Sequence, residues 1–175
     1  MVNTLRRIIA FLFAIIVVLF GLKSEKVFYW AIIFILCGES IRIWSAGYIR
    51  KNKVLSIVGP YRYVRNPLYI GSFLIGVGFA LFIGNFFVLI LILISFGIVY
   101  TFQVKYEEKK LTEIFGEKYL EYKKNVRRWL PRITAFGLED EKFNISLAIL
   151  KNKEYNSILG CIGMIFLILI LRRIL

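Results

Sequence analysis

Residues 68–103 read LYIGSFLIGVGFALFIGNFFVLILILISFGIVYTFQ, and this stretch decides the fold. Two apolar runs, Leu68 to Ile83 and Phe86 to Gln103, are divided only by Gly84 and Asn85. A membrane span takes roughly 17–25 residues, so one helix through both runs would be far too long for a bilayer. Gly and Asn suit a tight turn, and the stretch reads as a close helical hairpin of two spans. Three more apolar runs lie outside it: Ile8 to Leu22, Val27 to about Ile43, and Ile158 to Leu171. Tyr29, Trp30, Trp44 and Tyr48 stand at the ends of the second of these, where amphipathic rings anchor at headgroups. Several runs are short and need flanking residues to snorkel. The expected architecture is all-α: an integral membrane helical bundle of about five transmembrane helices. One membrane domain covers 1–175, with spans 1 and 2 in 1–50, the hairpin and polar motifs in 51–132, and a linker and final span in 133–175.

Composition agrees. Hydrophobic residues make up 59% of the chain, against about 45–50% in soluble domains. Disorder is excluded, because low hydrophobicity is its mark. There is no histidine, which removes Ser-His-Asp and Cys-His nucleophiles and every His-ligated metal site. Cys37 and Cys161 sit in apolar runs and make neither a cysteine-rich metal cage nor a secreted disulfide framework. No metal is expected.

The net charge of +13 is explained by topology and attraction to anionic membrane lipids. Nucleic acid is not an expected partner, because the basic residues are split between loops. With the N-terminus in the cytoplasm, Arg6 and Arg7 are inside. So are Arg50, Lys51, Lys53, Arg62 and Arg65 in the 44–67 loop, and the 104–157 segment from Lys105 through Lys153. The outer side keeps Lys23, Lys26, the Gly-Asn turn, Arg172 and Arg173. The positive-inside rule therefore gives a multi-pass protein, N-in and C-out. Arg6 and Arg7 also resemble the start of a secretory signal. No small-x-small cleavage site follows before Lys23, so the first run reads as a retained helix.

Two polar stretches stand out. Residues 59–71 read GPYRYVRNPLYIG, just before the third span. Pro67 fits the first turn of a helix and Asn66 its N-cap. A capped helix start with snorkelling arginines accounts for the stretch. So does an anion site, in which the helix dipole and free N–H groups stand beside Arg65. The second stretch begins at Glu107 and Glu108. Leu111, Ile114, Phe115, Tyr119, Tyr122, Val126 and Trp129 recur at three- and four-residue steps, so an amphipathic cytoplasmic helix is expected over 107–129, ended by Pro131. Gly116 weakens it by about 1 kcal/mol relative to Ala. The fourth span flows into it, carrying Glu107 and Glu108 out of the bilayer. These carboxylates either pair with Lys105 and Lys110 or await a cationic ligand group. Elsewhere, Glu39 and Arg42 read as a local ion pair. Gly71, Gly76 and Gly78 read as sites of close helix approach.

Together the two stretches resemble a known family. Arg65-Asn66-Pro67-Leu68-Tyr69-Ile70-Gly71 is similar to the Arg-His-Pro-x-Tyr-x-Gly motif of isoprenylcysteine carboxyl methyltransferases and phospholipid methyltransferases. Glu107-Glu108-x-x-Leu111, then Phe115-Gly116-x-x-Tyr119-x-x-Tyr122, resembles their C-terminal motif, and 126–131 resembles the proline-ended segment that follows. The resemblance spans roughly residues 42–132 and makes 51–132 the methyltransferase core. It implies a membrane methyltransferase with S-adenosylmethionine as cofactor, held at the cytosolic end of the hairpin. The cofactor contacts it implies are Lys53, Val54, Leu55, Ser56, Tyr61, Asn66, Pro67, Leu68, Tyr69 and Glu107, with Glu108 the close second for the glutamate. Arg65 and Glu107 are the expected catalytic pair. Gln103 stands where the isoprenylcysteine enzymes carry a substrate-binding arginine. Asn66 stands in place of histidine: it still donates a hydrogen bond but cannot become cationic.

The chemistry fits these residue types. Glu107 or Glu108 can pair with the cofactor's ammonium or hydrogen-bond its ribose, while Arg65, Asn66 and the helix start can hold its carboxylate. Tyr61 and Tyr69 offer ring faces for the sulfonium or adenine. In-line methyl transfer needs no metal, and alignment supplies roughly 7–11 kcal/mol of its barrier. A carboxylate nucleophile needs no base; an amine must lose a proton, which a motif carboxylate can accept. The first expectation is carboxyl methylation of a lipophilic or lipid-linked acceptor arriving from the bilayer. Phospholipid amine N-methylation is the alternative, and a non-catalytic membrane scaffold or transporter subunit that keeps the fold is a second.

Overall fold

The structure is a computed structural model that describes residues 2–24, 27–50, 54–137 and 141–174. The described residues are helical, without a β-strand. Helix α1 is Val2–Lys23. A single 3₁₀ turn, Tyr29–Ala31, leads into α2, Ile32–Ala46. Helices α3, Pro67–Phe82, and α4, Phe86–Ser95, form the hairpin. A π-helical turn at Phe96–Tyr100 joins α4 to α5, Thr101–Phe115. Then come α6, Glu117–Asn125, and α7, Tyr155–Ile174. Three continuous helical stretches are long and apolar enough to cross a membrane: Tyr29–Ala46, Phe86–Phe115 and Tyr155–Ile174. Two shorter apolar helices, Phe11–Leu22 and Pro67–Phe82, stand with them. These are the apolar runs of the sequence, and the membrane bundle is as expected.

The hairpin turn is real and has a local cause. Gly84 takes φ +61°, which a residue with a Cβ rarely adopts. The Asn85 side chain caps α4 by accepting the Val88 N–H at 3.0 Å. A close approach of α2 and α3 holds the bundle. A Cβ on Gly71 would sit 2.6 Å from the Gly38 carbonyl oxygen, and one on Gly78 would sit 2.7 Å from Ile35 Cγ1. Gly76 instead faces Ile92 of α4, at 3.4 Å. Small residues let helices touch where the bilayer offers no hydrophobic drive for association. Val17, Ile35, Phe79, Phe82, Ile83, Val88 and Ile168 fill the centre. Phe11, Ile33, Phe86, Leu159 and Phe166 are exposed on the outer faces, as lipid-facing residues are.

Three expectations need correction. The amphipathic helix does not reach Trp129. Gly116, at φ +51°, breaks it, and α6 stops at Asn125, where Val126 turns extended. Pro131 therefore lies beyond the helix end. The apolar residues past Asn125 are spaced like a helix face but belong to a strap, residues 126–137, which lies alongside 62–65. Its backbone pairs are Arg65 N–H to Arg127 O at 2.9 Å, Arg132 N–H to Tyr63 O at 2.9 Å and Phe136 N–H to Arg62 O at 3.0 Å. Asn66 occupies the N-cap position of α3, but its side chain does not cap; Nδ2 donates to the Arg128 carbonyl at 3.2 Å. Glu39 and Arg42 do not pair with each other. Glu39 Oε1 accepts from Ser157 Oγ at 2.6 Å and from Cys161 Sγ at 3.2 Å. Arg42 donates to Ser72 Oγ at 2.5 Å and bonds Glu154 at 2.7 Å. Glu39 turns to α7, and Arg42 to α3 and to the residue before α7.

Candidate functional site

The first turn of α3, the middle of α5 and the strap meet at one end of the hairpin. On α5, Gln103 and Glu107 are four residues apart and share a face. Glu107 Oε1 accepts the Tyr69 hydroxyl at 2.6 Å and Gln103 Nε2 at 2.7 Å. Gln103 is 2% exposed. Its amide orientation follows from that bond, since flipping it would set an oxygen against a carboxylate. Gln103 Oε1 is then a buried acceptor with no donor. An unmade hydrogen bond on a buried polar atom costs about 1–3 kcal/mol, so a donor that reached it would be stabilising.

Glu108 points to the other side of α5. Arg128 grips it with two bonds, Nε to Oε1 at 2.9 Å and Nη2 to Oε2 at 2.7 Å. Arg65 Nη1 stands 3.1 Å from Oε1, and Lys123 Nζ 3.8 Å from Oε2. The Arg65 pair lacks hydrogen-bond geometry, and Arg65 Nε and Nη1 remain buried donors without an acceptor. Its side chain is only 10% exposed. Glu108 thus ties the strap to α5 and is surrounded by cations, whereas Glu107 has only neutral donors. Neither pairs with Lys105 or Lys110.

Phenols surround the two carboxylates. Burial, then the Glu108 charge, push the Tyr119 phenol up to about 12, with Arg65 and Arg128 pulling the other way. Burial, then Tyr122 and Glu107, hold Tyr61 above its ordinary value. Burial does the same to Tyr122, whose hydroxyl donates to the Tyr61 carbonyl at 2.7 Å. On the hairpin side, Tyr69 and Tyr100 meet edge to face at 5.0 Å. Phe96 stacks on Tyr100 at 4.6 Å and touches Trp129 of the strap at 5.2 Å. The π-turn aims these rings together; single π-turns inside helices are frequent at functional sites.

The structure thus brings Arg65, Asn66, Pro67, Tyr69, Gln103, Glu107 and Glu108 into one constellation. Leu68 is half-buried on the same turn, its carbonyl accepting the Ser72 hydroxyl at 3.1 Å. The preceding stretch is more scattered. Val54 is exposed, Leu55 is buried against Tyr119, Tyr122 and Val126, and Ser56 Oγ donates to the Tyr48 carbonyl at 2.9 Å. The Tyr61 ring packs with Tyr48 and Val58. Lys53 lies outside the described residues. Sequence reasoning missed Arg128 and the Phe96–Tyr100–Trp129 group. Arg128 lies inside the proline-ended segment already singled out, and an arginine there was the available signal.

The family model for phospholipid methyltransferases matches residues 8–118. The chain is 31% identical over 96 residues to a protein-S-isoprenylcysteine O-methyltransferase of Schizosaccharomyces pombe, covering 55% of this chain and 41% of that one. It is 33% identical over 81 residues to the enzyme of that name from Xenopus laevis, covering 46% and 28%. It is also 29% identical over 100 residues to the nickel-cobalt-cadmium resistance protein NccN of Alcaligenes xylosoxydans xylosoxydans, covering 56% and 46%. The chain spans less than half the length of each of these relatives. No solved structure matches. With the motifs assembled at one end of an apolar helical hairpin and the family model covering more than half of the chain, this protein belongs to the phospholipid methyltransferase family.

Proposed function

We propose that the protein is an S-adenosylmethionine-dependent membrane methyltransferase acting on a lipophilic acceptor, with its site at the cytoplasmic end of the α3–α4 hairpin. One observation carries this: Gln103 Oε1, a buried acceptor without a donor, stands beside Glu107 in the family motifs, while Arg65 Nε is a buried donor without an acceptor on the Glu108 side of α5. They match the charges of the cofactor's amino-acid end. Arg65 Nε is a donor for a carboxylate, and Gln103 Oε1 with Glu107 are acceptors for an ammonium. Tyr69 and Tyr100 offer ring faces to a sulfonium. The cofactor, when bound, supplies an electrophilic methyl group. The chain's own part is to fix orientation. The Tyr69 hydroxyl and the Gln103 amide hold Glu107 in place, and the Glu108–Arg128 clamp holds the strap over the site. Trp129 and Phe96 exclude water on the bilayer side.

Two acceptor chemistries remain from the sequence. The names of the two O-methyltransferase relatives support a carboxylate. The phospholipid methyltransferase family model supports a phospholipid acceptor, whose amine would be the nucleophile. Glu107 is also placed to take a proton from an amine nucleophile. The basic loops at this end and the positive-inside rule support the cytoplasmic placement, N-in and C-out.

Calorimetry with S-adenosylhomocysteine on the detergent-purified chain tests the cofactor, and labelled-methyl transfer to lipid extracts tests the acceptor. Micromolar binding and base-labile label on a carboxylate acceptor are expected. Absence of binding in folded protein would favour the scaffold reading, and base-stable label in an amine lipid would make the acceptor an amine.

A further inference from the structure

Behind the first turn of α3, on the side away from Glu107, lies a groove of about 310 Å³. Ile41 and Trp44 of α2 and Pro67 and Ile70 of α3 form its walls; Pro60, Tyr63 and Val64 of the loop and Pro131 of the strap form its roof. No charged side chain lines it. A stable water needs two to four polar partners, which this lining does not offer. The walls belong to two apolar helices of the membrane bundle, so hydrocarbon is the filler at hand. That volume is roomy enough for a short hydrocarbon segment.

The segments that form the roof are strongly basic. Residues 59–67 and 126–137 carry Arg62, Arg65, Arg127, Arg128 and Arg132 and no acidic residue. Arg65 and Arg128 are taken by Glu108. Arg127 and Arg132 have no carboxylate partner among the described residues; Arg132 reaches only the Asn125 carbonyl and the Thr134 hydroxyl. We propose that the groove binds one acyl chain of an anionic membrane phospholipid, whose phosphate lies under the arginines of the strap. The chain would fill the space beneath Pro131 and Tyr63 and so brace the strap, whose Arg128 and Trp129 complete the site on the other side of α3. The lipid is distinct from the methyl acceptor, and the inference stands whether or not the protein transfers methyl groups.

The test uses the full chain in detergent, exchanged until loose lipid is gone, then mixed with equal phosphatidylglycerol and phosphatidylcholine and weighed by native mass spectrometry. One retained phospholipid is expected. Phosphatidylglycerol should be favoured at least about fivefold, the factor a single arginine near the surface confers. Ile70→Trp fills the groove and should abolish retention, while Ile90→Trp on the exposed face of α4 should keep it. No retained phospholipid, equal retention of both headgroups, or retention unchanged by Ile70→Trp would each overturn the proposal. Hydrogen exchange on the unmodified chain gives a check that needs no variant. The Arg132 and Phe136 amides, bonded to the Tyr63 and Arg62 carbonyls, should exchange more slowly once phosphatidylglycerol is restored, and unchanged exchange would refute the brace.

Discussion

Glu107 and Glu108 are neighbours in sequence, yet the structure gives them opposite duties, and paired substitutions separate the two. Glu107→Gln keeps the shape of the side chain. The Tyr69 hydroxyl and the Gln103 amide, now at 2.6 and 2.7 Å from Oε1, can both donate to an amide oxygen instead. Stability should therefore change by less than about 0.5 kcal/mol, the usual range for a change that breaks no packing. What is lost is the negative charge that faces a cationic ligand group. A hydrogen bond to a charged group is worth about 1.5–3 kcal/mol. At 1.4 kcal/mol per factor of ten, the Kd for S-adenosylhomocysteine should rise roughly ten- to a hundredfold. Glu108→Gln should do the reverse. It removes the counter-charge of Arg65, 10% exposed, and Arg128, 28% exposed. Breaking a fully buried pair costs about 3–5 kcal/mol, and the exposure of Arg128 lowers that to roughly 2 kcal/mol. The melting temperature should fall by about 4–8 °C, at roughly 2–4 °C per kcal/mol for a chain of this size. Calorimetry and thermal unfolding in one detergent read both quantities. Wild-type affinity in Glu107→Gln, or an equal loss of stability in the two variants, would refute the division of duties.

Other substitutions test the frame around the site. Gly71→Ala should destabilise by about 1–3 kcal/mol through overpacking, because its Cβ would meet Arg42 Cγ and the Gly38 carbonyl at 2.6 Å; Gly163→Ala, with nothing within 4 Å, should be neutral or stabilising by up to ~1 kcal/mol in the same melts. Gln103→Arg should raise methyl transfer to a synthetic prenylcysteine relative to an amine lipid, read as a ratio of kcat/KM, and an unchanged ratio would remove Gln103 from acceptor choice. Tyr119 ionises near 12 in the fold and near 10 when unfolded, so the fold favours its protonated form. Its stabilisation should be complete below pH 10 and fall as pH rises toward 12, and Tyr119→Phe should flatten that part of the melting profile.

The apolar runs, the Gly84-Asn85 turn and the order of the two polar motifs were legible in the sequence because each is a local signal. A bilayer fixes span length, a positive φ requires glycine, and a motif keeps its spacing. The close approach of α2 and α3 was half legible: Gly71 and Gly78 were visible, but Gly38 as the opposing surface was not. The helical spacing of Val126 and Trp129 misled, because a strap packing alternately onto the Tyr122 cluster and Phe96 can imitate a helix face over a few residues. The partners of charged groups were the least legible. Arg42 sits three residues from Glu39 and binds Glu154, while Glu108 sits beside Glu107 and binds Arg65 and Arg128. A side chain's neighbour in space is set by which helices meet, and that is a property of the packed bundle. The sequence by itself thus determined the class of fold and the residues that gather at the end of the hairpin. Only the tertiary structure decided that Glu107 takes the Gln103 amide and the Tyr69 hydroxyl while Glu108 is spent on the strap, because four-residue spacing on α5 sets Glu107 beside Gln103 and the next position turns toward the arginines.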